Sequence, residues 1–206
     1  MTRTRFATIT RTAVLAAAAT LPLACAGKQV TRIDPAAVTD LSGRWNDTDS
    51  RLVANELISS SLSEPWLRRY TETHGGEAPV VIVGGFSNRT LEHIPVGTFV
   101  KDLENAFVRS GAVRVVASST ERTDVRDERA DQQENARADT RARMAQETGA
   151  KYMLQGTIEA IQDREGRETV MYYQVDATLV DLQSNEKVWM GQFKQKKLIT
   201  QPRFRG

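Results

Sequence analysis

A strict alternation of residue types between positions 171 and 179 places the strongest constraint on how this 206-residue chain can fold. Apolar residues take every second position, and more polar residues take the positions between them. The apolar set is Met171, Tyr173, Val175, Ala177 and Leu179, and the intervening set is Tyr172, Gln174, Asp176 and Thr178. Because successive side chains of a β-strand point to opposite faces, the pattern predicts a strand with one buried face and one more polar face.

Four other segments predict the rest of a sheet. Strands over 152–161 and 187–194 flank the alternating strand, and we expect the three to form an antiparallel meander. The continuous apolar run over 79–83 is bounded by turn residues and predicts a buried central strand. A further strand is predicted over 112–117.

Three segments predict helices. The first helix is predicted over 47–63: the polar cluster 47–50 suits its capped start, apolar residues recur at helical spacing over 52–62, and Glu64-Pro65 stops it. A second helix ends at Gly111, a typical residue after a helix C-terminus. The charged stretch 120–149 predicts a solvated helix or loop in its first half and a helix from about Ala136 to Thr148. The order α-β-α-β-α-β-β-β indicates an α/β fold of the α+β type, with a mixed β-sheet flanked by helices.

Residues 1–24 have the pattern of a secretory signal. They contain Arg3, Arg5 and Arg11 without any acidic residue, and an apolar run from Ala13 to Ala24 follows. The run is shorter than the ~20 residues that span a bilayer as a helix. We expect the segment to direct export and then to be cleaved off. Its removal takes away three arginines, so the net charge of the mature chain falls from +2 to −1. Such a chain has no broad positive field for phosphate, which argues against nucleic-acid binding.

The single cysteine, Cys25, directly follows this segment. Its position resembles a bacterial lipobox, in which the cysteine is lipidated and becomes the mature N-terminus. Ordinary signal-peptidase cleavage near Ala24 is the alternative. Because Ala26 and not aspartate follows the cysteine, resemblance to the proteobacterial sorting rule favours the outer membrane. Residues 25–40 are then expected to be a lipidated N-terminus and a short linker, which reaches about 50 Å when fully extended.

The residue inventory argues against catalysis. One cysteine excludes an intrachain disulfide, and two histidines leave little material for a zinc site. The spacings typical of zinc peptidases, serine hydrolases, P-loop proteins and dinucleotide-binding folds are missing from the sequence. We therefore expect a binding module that is not an enzyme, with no catalytic residue, cofactor, metal or small-molecule substrate.

The loop that follows the strand at 79–83 carries the candidate contact groups. Loops at strand ends commonly carry function, and this one contains Asn88, Arg89 and Thr90. The planar guanidinium of Arg89 suits carboxylates on a partner. Asn88 has an alternative role, because its side-chain oxygen can cap the next turn.

Two tryptophans and one basic segment have simpler expected roles. Trp45 and Trp66 are interpreted as core residues that staple the first helix, with interface anchors as the alternative. The segment 194–197 carries three lysines and is expected to be solvated.

Several motifs, in this order, carry a family resemblance. They are Leu41-Ser42-Gly43-Arg44-Trp45-Asn46-Asp47-Thr48-Asp49-Ser50, Asn88-Arg89-Thr90 after a strand, Gly149-Ala150-Lys151-Tyr152 and Lys187-Val188-Trp189-Met190-Gly191. With the lipoprotein signal, they resemble the LpoB-type penicillin-binding-protein activators over roughly residues 41–195.

The resemblance implies an outer-membrane lipoprotein that faces the periplasm. Its domain, similar to the N-terminal domain of TolB, would cover 41–197, with a tail over 198–206. The implied partner is a class A penicillin-binding protein, a peptidoglycan synthase that is stimulated by direct contact, and Asn88, Arg89 and Thr90 are the expected partner-binding residues. Well-known members carry a long Pro-rich linker, whereas the linker here is short. A structural lipoprotein of an envelope secretion or surface-appendage assembly is the alternative.

Overall fold

The computed structural model describes residues 29–139 and 147–201. The chain divides into two units. The first unit, Met1–Pro35, has no helix or strand in its described part. The second unit, Ala36–Gly206, holds every described element. These elements are α1 (Asp47–Ser63), α2 (Pro65–Thr73), β1 (Val80–Asn88), α3 (Val96–Ser110), β2 (Arg114–Val115), α4 (Ser119–Asn135), β3 (Tyr152–Glu165), β4 (Glu168–Asp181) and β5 (Lys187–Thr200).

The strands form one mixed sheet in the order β2-β1-β3-β4-β5. β1 pairs in parallel with both β2 and β3, and β3, β4 and β5 form the antiparallel meander that the sequence predicts. The α+β fold with a mixed sheet flanked by helices is therefore confirmed. None of the helices that the structure describes is long and apolar enough to cross a membrane.

The predicted alternation in β4 is confirmed residue by residue. Met171, Tyr173, Val175, Ala177 and Leu179 are all at most 5% exposed, whereas the residues between them are only half-buried. α3 packs on β1 and α1, and its residues Phe99, Leu103 and Phe107, spaced four apart, are completely buried in the same core as the β4 residues. One side of the sheet therefore forms the core with the helices.

The first two predicted helices are confirmed, and their ends follow local chemistry. Asn46 caps α1: its side chain accepts a hydrogen bond from Asp49 N at 3.1 Å, and its own N–H donates to the Asp49 carboxylate at 2.9 Å. α3 ends at Ser110, and the Gly111 that follows caps it with a φ of 65°, in the left-handed region that favours glycine.

The structure adds one helix to the predicted order. Pro65 ends α1, but it also starts α2, because proline at the first position of a helix loses no hydrogen bond. Trp66 is 3% exposed, and its indole N–H donates to Ser61 O at 2.6 Å. These contacts confirm the interpretation of Trp66 as a core residue beside the first helix.

Two strand boundaries were predicted wrongly. β1 does not stop at residue 83 but continues to Asn88, with a register shift between Val83 and Phe86. The two glycines within that shift look like a loop in the sequence, yet the strand passes through them as a bulge. The strand predicted over 112–117 is confined to Arg114–Val115.

The charged stretch and the last strand also differ from expectation. α4 takes the first half of the stretch as a helix. The helix predicted from Ala136 is wrong for the described residues, because 136–139 form a bend and a turn and 147–150 are irregular, while 140–146 lie outside the described part. β5 runs to Thr200, so the segment 194–197 belongs to the sheet and is not a solvated tail, and residues 198–200 extend the same strand.

Candidate functional site

The expected contact residues lie in a tight turn where β1 ends, over Asn88–Ile94, which we call the Asn88–Ile94 turn. The side-chain oxygen of Asn88 accepts hydrogen bonds from Thr90 N at 2.9 Å and from Thr90 Oγ1 at 2.8 Å. Its amide nitrogen donates to Glu92 O at 2.7 Å. The alternative role of Asn88, capping the turn through its side chain, is therefore confirmed.

Thr90 is used in the same internal way. Its Oγ1 accepts a hydrogen bond from Glu92 N at 3.0 Å, in addition to the bond that it donates to Asn88. Both side chains are half-buried. The polar side-chain atoms of Asn88 and Thr90 therefore form hydrogen bonds within the turn and stabilise its conformation.

Arg89 points its charge outward. Its backbone N–H donates to Ile158 O at 2.8 Å and so extends the pairing of β1 with β3. Its side chain is 66% exposed, and Nη1 lies 3.7 Å from Glu159 Oε1. A surface ion pair of this kind is worth at most about 1 kcal/mol, so it does not prevent the guanidinium from meeting a carboxylate on another molecule.

Leu91 follows Arg89 by two positions and is completely exposed. Sequence reasoning missed this residue, although an apolar side chain inside the polar run Asn88-Arg89-Thr90-Leu91-Glu92 was a usable signal. The turn therefore exposes one apolar side chain and one guanidinium group two positions apart in the chain.

Glu92 ties the turn to the core. Its carboxylate oxygens lie 2.9 and 2.8 Å from the hydroxyl of Tyr173, which donates to it, and Oε2 accepts from Trp45 N at 3.2 Å. Burial, reinforced by the hydrogen bond to Glu92, raises the pKa of Tyr173 above its ordinary value, so the hydroxyl keeps its proton and remains a donor. The turn is thus joined to β4 and to the segment before α1.

Trp45 completes this support. Its ring lies edge-on to Tyr173 at 5.5 Å and to Phe99 at 6.0 Å, and its indole N–H donates to Ser50 Oγ at 2.8 Å. The ring is half-buried against the core. Trp45 therefore packs as a core residue, as the sequence interpretation preferred.

A partly buried ion cluster fixes the first turn of α1 and the segment before it to β5. Lys197 Nζ lies 2.6 Å from Asp49 Oδ2 and 2.7 Å from Asp40 Oδ1. The side chains of Lys197 and Asp49 are 9% and 2% exposed, whereas Asp40 is 44% exposed. Burial lowers the pKa of Lys197, but the hydrogen bonds to the two carboxylates outweigh it and raise the pKa overall.

No arrangement for metal binding accompanies these clusters in the described ranges, where no group of three histidine, cysteine or acidic residues could hold an ion. The predicted lipidation residue, Cys25, and the signal segment 1–24 lie outside the described residues.

The sequence matches the model of one known protein family. The model described as "Peptidoglycan-synthase activator LpoB" matches residues 49–194. A search of curated proteins finds no match.

Several solved structures are similar to the chain. The LpoB C-terminal domain from Salmonella enterica has 18% identity and a TM-score of 0.38, with 74% of this chain and 99% of that one covered. The Escherichia coli LpoB C-terminal domain has 15% identity and a TM-score of 0.39, with coverages of 72% and 99%. Lipoprotein GNA1162 from Neisseria meningitidis has 16% identity and a TM-score of 0.39, with coverages of 58% and 83%.

The family match covers well over half of the chain and includes the Asn88–Ile94 turn, Tyr173 and most of the sheet. This protein therefore belongs to the LpoB family of peptidoglycan-synthase activators.

Proposed function

We propose that this chain binds and activates a class A penicillin-binding protein in the periplasm, while lipidated Cys25 holds it at the outer membrane. The observation that carries the proposal is the family match over residues 49–194. The chain would act as a regulator through protein–protein contact and not as an enzyme.

We place the contact surface on Arg89 and Leu91. Burying an exposed leucine in a partner contributes about 1.5–3 kcal/mol, and arginine is enriched among residues that dominate binding energy. Because Asn88, Thr90 and Glu92 already hold the turn, its backbone has little freedom to lose on binding, which lowers the entropic cost of association. The role of Asn88 and Thr90 in partner binding is then to position their two neighbours.

The proposed anchor limits how far the domain can stand from the membrane. The compact unit begins at Ala36, whose carbonyl accepts a hydrogen bond from Arg51 Nη2 at 3.2 Å. The eleven residue steps from Cys25 to Ala36 span at most about 40 Å when fully extended. The contacting part of the synthase must therefore come within that distance, plus the size of the domain, of the outer membrane.

A binding and activity measurement tests the contact surface. Purified chain is titrated onto a class A penicillin-binding protein from the same organism, and glycan polymerisation is followed with and without it. We expect Leu91→Ala and Arg89→Gln each to weaken binding about tenfold or more. Matched controls are Leu182→Ala, an exposed leucine after β4, and Arg68→Gln, whose 3.7 Å pair with Glu72 resembles that of Arg89.

Each outcome decides the proposal. Loss of binding and stimulation in the Arg89 and Leu91 variants only would support it, and equal loss in the controls would refute the placement of the surface. No binding and no rate change with the unmodified chain would refute the activator role. Stable copurification with an outer-membrane pore instead would select the structural alternative.

The lipid anchor has a separate test. Mass spectrometry of the protein extracted from membranes is expected to show acyl chains on an N-terminal Cys25. A mature chain with an unmodified Cys25 would refute the anchor and leave the activator role open.

A further inference from the structure

α4 is a helix without a core-facing side. None of its residues is buried, and its first turn is held by a capping box between Ser118 and Glu121 and by an ion pair between Glu121 and Lys101. A helix that is polar all round does not owe its stability to an apolar face. Most of its side chains therefore face solvent and are accessible to a ligand or a partner.

The basic and acidic residues of α4 lie on opposite sides of the helix. Arg122, Arg126 and Arg129 are spaced four and then three residues apart, which places them in one row along the helix. We call this row the arginine stripe. At 100° per residue the acidic residues occupy the opposite side of the helix. They include Asp124, Asp127 and Asp131.

The arginine stripe already surrounds a carboxylate, that of Glu147. Arg126 binds it in a bidentate manner, with Nε and Nη2 each 2.8 Å from one oxygen. Arg122 Nε and Arg129 Nη1 lie farther away, at 3.8 and 3.7 Å. The hydrogen bond from Arg126, with the charges of all three arginines, lowers the pKa of Glu147 and keeps it ionised.

One carboxylate does not saturate this row. Among the residues that the structure describes, the three guanidinium groups pair with the single carboxylate of Glu147, which leaves an excess of two positive charges. Arg122 Nε is shielded from solvent and has no hydrogen-bond partner among the described residues. A buried donor without an acceptor costs free energy, so a second acceptor at this point would stabilise the row.

We propose that the arginine stripe is a docking site for an acidic segment of a protein partner, whose carboxylates replace Glu147. Charge complementarity argues for this occupant, and Glu147 shows which chemical group the row accepts. The stripe is about 10 Å long, and carboxylates on the same side of an extended peptide recur every ~7 Å, so about two fit along it. Arginine forks bind carboxylates in the bidentate geometry that Arg126 already shows.

Glu147 then acts as an internal competitor. It belongs to the connection between α4 and β3 and is tethered close to the stripe, where its effective concentration is in the millimolar range. A partner with one carboxylate would compete poorly, whereas one with two or more would also meet Arg122 and Arg129. The stripe shares no residue with the Asn88–Ile94 turn, and this inference does not depend on the proposed synthase contact.

The experiment measures binding of a fluorescent oligoglutamate peptide to the purified full chain by anisotropy at low salt. We expect Glu147→Gln to tighten binding about fivefold and Arg126→Gln to weaken it by a similar factor. Glu72→Gln and Arg68→Gln are matched controls, because they change the same charges in an exposed pair on α2. Circular dichroism verifies that each variant is folded, and oligoglutamine is the neutral probe.

Three results would overturn the proposal. The first is no oligoglutamate binding by either the unmodified chain or Glu147→Gln. The second is equal behaviour of Arg126→Gln and Arg68→Gln, which would make the attraction nonspecific. The third is tight binding of phosphatidylglycerol vesicles or inorganic phosphate without oligoglutamate binding, which would assign the stripe to a phosphate ligand.

Discussion

Replacing Lys197 by methionine is expected to destabilise the fold, because the change leaves a buried carboxylate without its cation. Lys197 Nζ lies 2.6 Å from Asp49 Oδ2, and the Asp49 side chain is only 2% exposed. Methionine has a similar length and fills the same space, so the effect reports the lost charge and not a cavity.

The structure sets the size of this effect. Removing one partner of a buried ion pair costs about 3–5 kcal/mol. Asp49 keeps two hydrogen bonds, from Asn46 N at 2.9 Å and from Gln195 Nε2 at 3.0 Å, which places the expected loss at the lower end, about 3 kcal/mol. With an m-value of about 1–3 kcal/mol per molar urea, the unfolding midpoint should fall by at least about 1 M.

Urea unfolding followed by tryptophan fluorescence measures the midpoint. Asp40→Asn is the control within the same cluster, and because Asp40 is 44% exposed its loss should be below about 1 kcal/mol. The reasoning is refuted if Lys197→Met unfolds within about 0.2 M of the unmodified chain, because Lys197 would then be solvated, as its sequence position first indicated.

The same cluster predicts a pH dependence. The pKa of Lys197 is raised in the folded state, so its contribution is complete below the ordinary value of 10.5 and is lost as pH rises through the raised pKa. The stability difference between the unmodified chain and Lys197→Met should therefore persist from neutral pH to about pH 10 and narrow above it. A difference that vanishes near neutrality would contradict the assigned ion pair.

Two further substitutions test the support of the turn and the sheet. Tyr173→Phe removes the hydroxyl that donates to Glu92 and is expected to cost about 1–3 kcal/mol in urea unfolding, whereas Tyr172→Phe, on the half-buried face, should cost less than about 1 kcal/mol. Gly156→Ala places a Cβ against the backbone oxygen of the neighbouring strand and should lower the melting temperature by several degrees, whereas Gly85→Ala meets open space, and equal effects would contradict this packing.

Several features of the fold follow from local pattern and could be predicted. The two-residue period of β4 and the capped start of α1 depend on residues only a few positions apart. α2 was missed because proline both ends one helix and starts the next. β5 was predicted too short because its lysine-rich end has the composition of a solvated tail.

The candidate site was predictable only in part. Asn88, Arg89 and Thr90 stand out in the sequence because they follow a strand, but the pattern does not indicate which of them faces solvent. Hydrogen bonds consume the polar atoms of Asn88 and Thr90 and leave the guanidinium of Arg89 exposed. Leu91 becomes a candidate contact residue only because the folded turn leaves its side chain at the surface.

By itself, the sequence determined the pattern of an export signal, the class of fold, the buried face of β4 and the family resemblance. Each of these depends on the types of residues that lie only a few positions apart. Only the tertiary structure decided how the turn is supported and where charge is available. Glu92 meets Tyr173 across 81 positions, and Lys197 meets Asp49 across 148. A buried carboxylate is stable only where distant donors converge on it, and chain folding brings those donors together.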